Sequence, residues 1–191
     1  MVSVGRAVSI AMAFFASAIL VSSFTQVAGA SSSTPIIRDV CASTGKQFQL
    51  DNKFCIETLS SESRIVAATD LVKMSLALIE AAMSNAAKTR DYVKNMLKQP
   101  GLKPDHRYVM QQCDIGYSNC YLSFGSALGE TQEKEYFTAT YDVKIAFTDN
   151  VDFCRNALTS TKIQDEVLSR GNNFIYVFGA VAFDSLDRLI G

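Results

Sequence analysis

The fold is decided by one stretch of the chain: residues 104–128 read PDHRYVMQQCDIGYSNCYLSFGSAL. The stretch opens on Pro104 and Asp105, and a proline suits the first turn of a helix while an acid suits the positive end of the helix dipole. Small and apolar residues then recur at steps of three or four, which predicts a helix with one buried face. That inner face consists of Val109, Cys113, Gly116, Cys120, Phe124 and Leu128.

Three further stretches have the same period. The first helix runs from about residue 62 to 98 and ends at Gln99-Pro100-Gly101, because proline cannot continue the hydrogen-bond ladder. The third helix follows a turn at Gly129, with Thr131 as its expected cap, and the fourth follows the polar residues 159–164. The inward positions are Val72, Leu76, Ile79, Met83, Ala86, Val93 and Leu97 in the first helix, Tyr136, Thr140, Val143, Phe147, Val151, Cys154 and Leu158 in the third, and Val167, Phe174, Val177 and Val181, with Phe178, Ala182 and Leu189 alongside, in the fourth.

Four such helices, joined by short connections, predict an all-α fold: an antiparallel up-down four-helix bundle over residues 61–191. Runs of alternating residues suited to strands are absent from the sequence. Residues 31–191 are long enough for one domain with a hydrophobic core and too short for two domains of ordinary size. Residues 31–60 precede the bundle as an N-terminal extension that packs on it or projects from it.

Residues 1–30 are typical of a secretion signal. They carry a single charge, Arg6, then an apolar run over 7–21, then Ala28-Gly29-Ala30, which fits the small-x-small pattern that a signal peptidase accepts. The apolar run is shorter than the roughly 20 residues that span a membrane. We therefore predict a cleaved signal peptide and a protein secreted into the extracellular space, without a membrane partner.

All five cysteines lie beyond this leader, so we expect disulfides in an oxidising compartment. Cys41 and Cys55 lie in the short extension, with Gly45 between them, and a segment of that length cannot bury much by itself. A local bond between these two cysteines, closing a hairpin, is the natural prediction.

The other three cysteines allow one bond and leave one free thiol. Cys113 and Cys120 are seven residues apart on one predicted helix, which separates their Cα atoms by about 10.5 Å. A disulfide requires less than about 7 Å, so these two cannot join. Both point the same way, and either one could reach Cys154 on the third helix. The remaining thiol is a core residue, a redox sensor or a dimer contact.

These features resemble the plant invertase and pectin methylesterase inhibitor family over nearly all of the chain beyond the leader. The extension ends in Asn52-Lys53-Phe54-Cys55 followed by Leu59, which is similar to the family's Phe-Cys-(x)n-Leu ending. The second helix holds Cys113-x-x-x-Tyr117, similar to the family's Cys-x-x-x-Tyr followed by a small residue, and Cys120 occupies the small position. The resemblance implies one inhibitor domain over 31–191, with a helical hairpin ahead of the bundle.

The resemblance also implies the disulfide pairing, the partner and the mechanism. It favours the bonds Cys41–Cys55 and Cys113–Cys154, with Cys120 as a buried free thiol. Family members inhibit without chemistry, by docking an outer face of the bundle over a target's substrate groove in the plant apoplast. The expected target is pectin methylesterase, and the alternative is acid invertase (β-fructofuranosidase).

One tripeptide bears on the target. Better-described invertase inhibitors enter the enzyme's cleft with Pro-Lys-Phe at the turn into the third helix, where this chain has Glu135-Tyr136-Phe137 and keeps only the Phe. Rigid aromatics are the side chains expected to anchor such an interface. The candidate partner-binding residues are Tyr136, Phe137, Tyr92 and Tyr108. For each the alternative is ordinary core or boundary packing, and Tyr136 in particular fits the inward stripe.

The sequence argues against an enzyme and against a cofactor or metal. It holds one histidine, His106, expected to be a solvated first-turn residue, and cysteines in disulfides cannot ligate zinc. Hydrolase, phosphate-loop and dinucleotide motifs are absent, so we predict no catalytic residues. A formal net charge of −1 without a basic run argues against nucleic acid.

Two other functions stay open at this point. In a secreted helical carrier, Phe174, Phe178 and Phe183 of the fourth helix would line a site for an apolar ligand. A cavity of several hundred Å³ between the helices would favour the carrier, and a filled core would favour the inhibitor. A structural protein without inhibitory activity has the same sequence features.

Overall fold

The computed structural model describes residues 34–191, so the predicted signal peptide lies outside the described residues. Within 34–191 the regular structure is helical, without a strand. The helices are α1 (Pro35–Phe48), α2 (Asn52–Ser60), α3 (Ser63–Val66), α4 (Leu71–Leu97), α5 (Pro104–Gln132), α6 (Tyr136–Ile145), a π-helical turn (Ala146–Asn150), α7 (Val151–Thr161) and α8 (Glu166–Ile190). None of the described helices has the length and apolar character to cross a membrane.

The predicted four-helix bundle is confirmed, with α4, α5, the continuous pair α6–α7, and α8 as its members. Helix α4 packs against α5 and α8, and α6–α7 packs against the same two helices, so the four surround one core. Fully buried Leu78, Phe124 and Phe147 belong to that core. Each such side chain stabilises the fold by roughly 1.5–3 kcal/mol.

One polar pair lies at the centre of the core. The Tyr117 hydroxyl of α5 donates a hydrogen bond to Oδ1 of Asn172 in α8, at 2.7 Å. Both side chains are buried, and each satisfies the other's polar group. Burial also raises the pKa of Tyr117 well above its ordinary value, so the phenol stays protonated.

The first bundle helix begins later than the sequence predicts. Asp70 caps α4 by accepting a hydrogen bond from the Lys73 backbone N–H at 2.9 Å, and residues 63–66 form a separate short helix. The inward face differs from the predicted one in its first turns, while Ile79, Ala86 and Val93 are buried as predicted. Met74 and Leu78 are fully buried, whereas Val72 and Leu76 are only half-buried.

Two other predicted details are wrong. Helix α5 continues through Gly129 to Gln132, and the Thr131 hydroxyl donates to the Ala127 carbonyl at 2.7 Å, so Thr131 belongs to the last turn of α5 and caps nothing. In α8, Val167 is 46% exposed, while Leu168 beside it is fully buried. At the start of α8 the apolar pattern therefore predicted the buried position with an error of one residue.

The third bundle helix contains a π-helical turn at Ala146–Asn150. Val143, Phe147, Val151 and Cys154 are all fully buried. Their steps of four, four and three are those of one face of a regular α-helix, so the spacing does not indicate the wider turn.

The N-terminal hairpin, α1 and α2, packs on the bundle. The disulfide Cys41–Cys55 closes it, with Cα atoms 5.8 Å apart. At its tip the Phe48 ring meets the rings of Phe147 and Phe183 edge-on, with centroids 5.5 and 5.6 Å away. Edge-to-face pairs of this kind add about 0.5–1.5 kcal/mol beyond area burial.

Charged groups hold the other end of α1 against α8. Arg188 pairs with Asp39 of α1 at 2.6 Å and with Asp184 of its own helix at 3.0 Å. Asp184 is buried, and its second oxygen accepts a hydrogen bond from the Ser43 hydroxyl at 2.8 Å. The hairpin is thereby held to α8 by apolar contact at one end and by an ion-pair network at the other.

Candidate functional site

The disulfide Cys113–Cys154 joins α5 to α7, with Cα atoms only 4.1 Å apart. Gly116, one turn along α5, permits this approach. A Cβ atom there would lie 2.7 Å from the Asn150 carbonyl oxygen and 3.3 Å from Cβ of Phe153. A covalent bond and direct backbone contact therefore make α5 and α7 one stiff wall.

Cys120 is the free thiol behind this wall. It is fully buried and donates a weak hydrogen bond to the Ala146 carbonyl at 3.1 Å, at the start of the π-helical turn. Burial raises the pKa of the thiol to about 12. At neutral pH Cys120 is therefore a protonated packing residue and a poor nucleophile.

The outer surface of the wall carries exposed apolar side chains. Tyr108, Ile115 and Leu122 are seven residues apart on α5, so they lie on one side of that helix, and they are 48%, 45% and 64% exposed. We call the outer surface of α5, α6 and α7 that carries such residues the aromatic face. Its members are Tyr108, Ile115, Leu122, Phe137, Tyr141 and Phe153.

Phe137 and Tyr141 are the most prominent rings of the aromatic face. They are 77% and 63% exposed and lie one turn apart at the start of α6. Tyr141 borders a surface depression of about 350 Å³, whose far side is formed by Thr148 and Asp149. Two large exposed rings one turn apart on a helix are candidate anchors for a protein contact.

The four predicted contact residues divide into two pairs. Tyr108 and Phe137 lie on the aromatic face. Tyr136 packs half-buried against the core. Tyr92 donates its hydroxyl to Asp165 at 2.8 Å, which ties α4 to the connection before α8, and burial followed by this hydrogen bond raises its pKa to about 12. We therefore leave Tyr136 and Tyr92 out of the site.

Sequence reasoning missed the other members of the face. Tyr141 is four residues after Phe137, and Ile115 and Leu122 continue the seven-residue spacing from Tyr108. Both signals were present in the sequence, off the inward stripes. They indicated that these side chains lie on the surface, but not that the side chains take part in binding.

An acidic rim borders the face at the α5–α6 turn. Burial first, and then the charges of Asp142, Glu133 and Glu135, raise the pKa of the Glu130 carboxyl. Exposed Lys134 lies between Glu133 and Glu135 in the same turn, so the rim carries one positive charge among these carboxylates.

The described residues offer no metal site: nothing in 34–191 groups three His, Cys, Asp or Glu side chains around a possible ion. The prediction for His106 is wrong in detail, because the side chain is half-buried with its Nδ1 shielded from solvent instead of being fully solvated.

The predicted carrier lining is split between two places. Phe183 is packed against Phe48 beside the core. Phe174 and Phe178 instead line a surface groove of about 330 Å³ between α4 and α8. Phe183 also meets the Phe147 ring, with centroids 6.4 Å apart.

Comparisons with known proteins agree with this architecture. The family described as Plant invertase/pectin methylesterase inhibitor matches residues 35–182. A mutant form A of a pectin methylesterase inhibitor from Arabidopsis has a similar structure, with a TM-score of 0.70 at 15% identity over 81% of this chain and 97% of that one. A pectin methylesterase inhibitor from Arabidopsis thaliana gives a TM-score of 0.60 at 16% identity, over 81% and 95%. At such identities these two structures show the fold. Among curated protein sequences none matches significantly.

Proposed function

The chain belongs to the plant invertase/pectin methylesterase inhibitor family, and from this we propose that it inhibits pectin methylesterase by covering the substrate cleft with its aromatic face. Members of this family are enzyme inhibitors, not enzymes. The target, the docking face and the blocking mechanism are the proposed part.

The aromatic face is the observation that carries the proposal. Phe137 and Tyr141 expose large rings at the first turns of a helix that the disulfide-bonded wall supports. Rings on rigid elements lose little conformational entropy on binding, so more of their apolar burial appears as affinity. A stable complex buries about 1,600 Å² in total, and the outer surface of three helices is wide enough to supply its share.

The start of α6 favours pectin methylesterase over invertase. Invertase inhibitors with the Pro-Lys-Phe triplet offer a basic residue and a ring together, whereas this chain offers exposed, acidic Glu135 and half-buried Tyr136 before Phe137. Only the ring of Phe137 remains for an insertion of that kind.

The proposed location is the extracellular space of plant tissue, the apoplast. The predicted signal peptide and the two disulfides support it, because both bonds persist in an oxidising compartment.

The test is an inhibition assay of the secreted protein against purified pectin methylesterase and, separately, acid invertase. We expect inhibition of pectin methylesterase that more pectin relieves, since inhibitor and substrate compete for one cleft. Inhibition of acid invertase alone would move the target to the family's other enzyme. No inhibition of either enzyme at micromolar inhibitor would overturn the proposal.

A further inference from the structure

A groove on another side of the bundle has the features of a small-molecule site. It measures about 330 Å³ and lies where α4 and α8 meet the segment that links the hairpin to the bundle. Its volume is at the lower end of ligand pockets, which suits a ligand built on one ring.

The floor of the groove is aromatic. The rings of Phe174 and Phe178 stack with centroids 6.0 Å apart and planes 25° apart. Ala81 of α4 faces them with a short side chain, 6% exposed, which leaves room for the groove. Phe178 is only 3% exposed, and the Arg170 guanidinium lies 5.2 Å from the centroid of the Phe174 ring. A flat ring entering here would therefore bury apolar surface mainly against the open side of Phe174.

One wall contains a hydrogen-bond acceptor without a partner. Oδ1 of Asn85 is shielded from solvent and accepts no hydrogen bond from any residue in 34–191. Leaving a shielded acceptor unpaired costs roughly 1–3 kcal/mol, so a donor on a ligand would gain from pairing with it.

The charged groups of the lining are of both signs. Arg64 already pairs with Glu80 of α4. Glu62 and Lys88 also line the groove, and the structured part of the chain supplies neither with an ion-pair partner. Lys88 lies one turn from Asn85 on α4, so a cation and an acceptor are side by side. Because Glu62 and Lys88 carry opposite charges and neither has an ion-pair partner, a ligand with both an ammonium and a carboxylate would complement the groove.

We propose that this groove binds a small zwitterion bearing an aromatic ring, the chemical class of the free aromatic amino acids. The ring packs against the open side of Phe174, the ammonium donates to Asn85 Oδ1 and Glu62, and the carboxylate pairs with Lys88. The site is separate from the aromatic face, so the inference does not depend on the proposed target.

The experiment titrates the secreted protein with three probes and follows binding by calorimetry and by amide chemical shifts. The probes are L-phenylalanine, 3-phenylpropionate, which lacks the ammonium, and phenethylamine, which lacks the carboxylate. We expect L-phenylalanine to bind with a Kd on the order of 10⁻⁴–10⁻³ M, and each truncated probe to bind about tenfold more weakly.

Two variants separate the charges. Lys88→Ala should weaken L-phenylalanine and 3-phenylpropionate about tenfold and leave phenethylamine unchanged. Glu62→Gln should weaken L-phenylalanine and phenethylamine and leave 3-phenylpropionate unchanged; its side chain caps no helix, so the fold is retained. Lys94→Ala is the matched control, because Lys94 lies on the same helix beside Tyr121, outside the groove.

The inference is overturned if L-phenylalanine at 10 mM gives neither heat nor shifts at Phe174 and Phe178. It is equally overturned if the three probes bind alike, or if Lys88→Ala and Glu62→Gln bind all of them as the unchanged protein does. The inference is supported if Lys88→Ala weakens only the probes that carry a carboxylate and Glu62→Gln weakens only the probes that carry an ammonium.

Discussion

Gly116 shows how a single missing side chain sets the geometry of the wall. The residue lies on the inner stripe of α5, where the absence of a Cβ lets the Asn150 carbonyl of the π-helical turn come close. The adjacent bond Cys113–Cys154 then closes over a Cα distance of 4.1 Å. The stiffness of the proposed docking surface therefore depends on this contact.

Gly116→Ala should destabilise the protein by about 1–3 kcal/mol, because its Cβ would lie 2.7 Å from a backbone oxygen that cannot move freely. Urea unfolding measures the change. Gly125→Ala on the same helix is the control: its Cβ meets only the flexible end of Met83 at 3.7 Å, so the helix propensity of alanine leaves it neutral or stabilised by up to about 1 kcal/mol. Equal effects of the two substitutions would contradict the close contact.

Glu130 makes stability depend on pH at the acidic rim. Its folded-state pKa is raised from 4.5 by burial and by neighbouring carboxylates, so the folded protein holds this proton more tightly than the unfolded chain. The stability linked to it is present below the unfolded pKa and is lost as pH rises through the folded pKa. Glu130→Gln should thus raise the melting temperature at about pH 7 and do so much less at about pH 3.5. An increase of the same size at both pH values would show that the carboxyl is not strained by its surroundings.

At the scale of elements, the sequence predicted the helices well where a breaker or a long stripe defines them. Pro104 begins α5 as expected, whereas the π-helical turn at Ala146–Asn150 was not predicted, because the stripe of the third helix has ordinary α-helical steps. The break before α4 was missed because residues 62–70 hold neither proline nor glycine. The local signal was Asp70, whose side chain caps the start of α4.

The candidate surfaces were less predictable than the helices. Tyr108 and Phe137 were recognised as aromatics near helix starts, but Tyr136 and Phe137 differ only in their direction from one helix axis. The groove is built from three separate segments, so no spacing along the chain could reveal it. The periodicity of a sequence does not show in which direction a surface side chain points, nor which distant elements contact each other.

Arg188 is the cation beside buried Asp184, whose other carboxylate oxygen accepts the hydrogen bond from Ser43 of the hairpin. Arg188→Ala should cost about 3–5 kcal/mol, because it leaves the buried Asp184 carboxylate without its cation. Hydrogen exchange should show α1 and α2 losing protection before the bundle does. Asp39→Ala is the matched control: this partner of Arg188 is exposed, so its loss should cost no more than about 1 kcal/mol. If both substitutions lowered the free energy of unfolding by a similar amount, the cost of Arg188→Ala would not come from Asp184.

At the scale of the whole molecule, one disulfide stabilises the hairpin and the other stabilises the bundle. Cys41–Cys55 closes a loop with a sequence separation of 14 residues, and Cys113–Cys154 closes one of 41. By the chain-entropy estimate each bond stabilises the fold by on the order of 3–4 kcal/mol.

Full reduction should therefore lower the free energy of unfolding by several kcal/mol and weaken inhibition at the same time, because the α5–α7 wall loses its covalent bond. Calorimetric scans and inhibition assays with and without reductant provide the comparison. Inhibition and stability that both survive complete reduction would show that the bonds are dispensable.

The most direct test of the central claim is the inhibition constant of the double variant Phe137→Ala/Tyr141→Ala against pectin methylesterase. Both rings are exposed and outside the core, so the melting temperature should stay unchanged while the inhibition constant rises at least about 30-fold, as the loss of interface hot spots predicts. Tyr121→Ala, an exposed α5 tyrosine that lies toward α4, should inhibit like the unchanged protein. If the folded double variant inhibits as strongly as the unchanged protein, the aromatic face is not the surface that covers the enzyme.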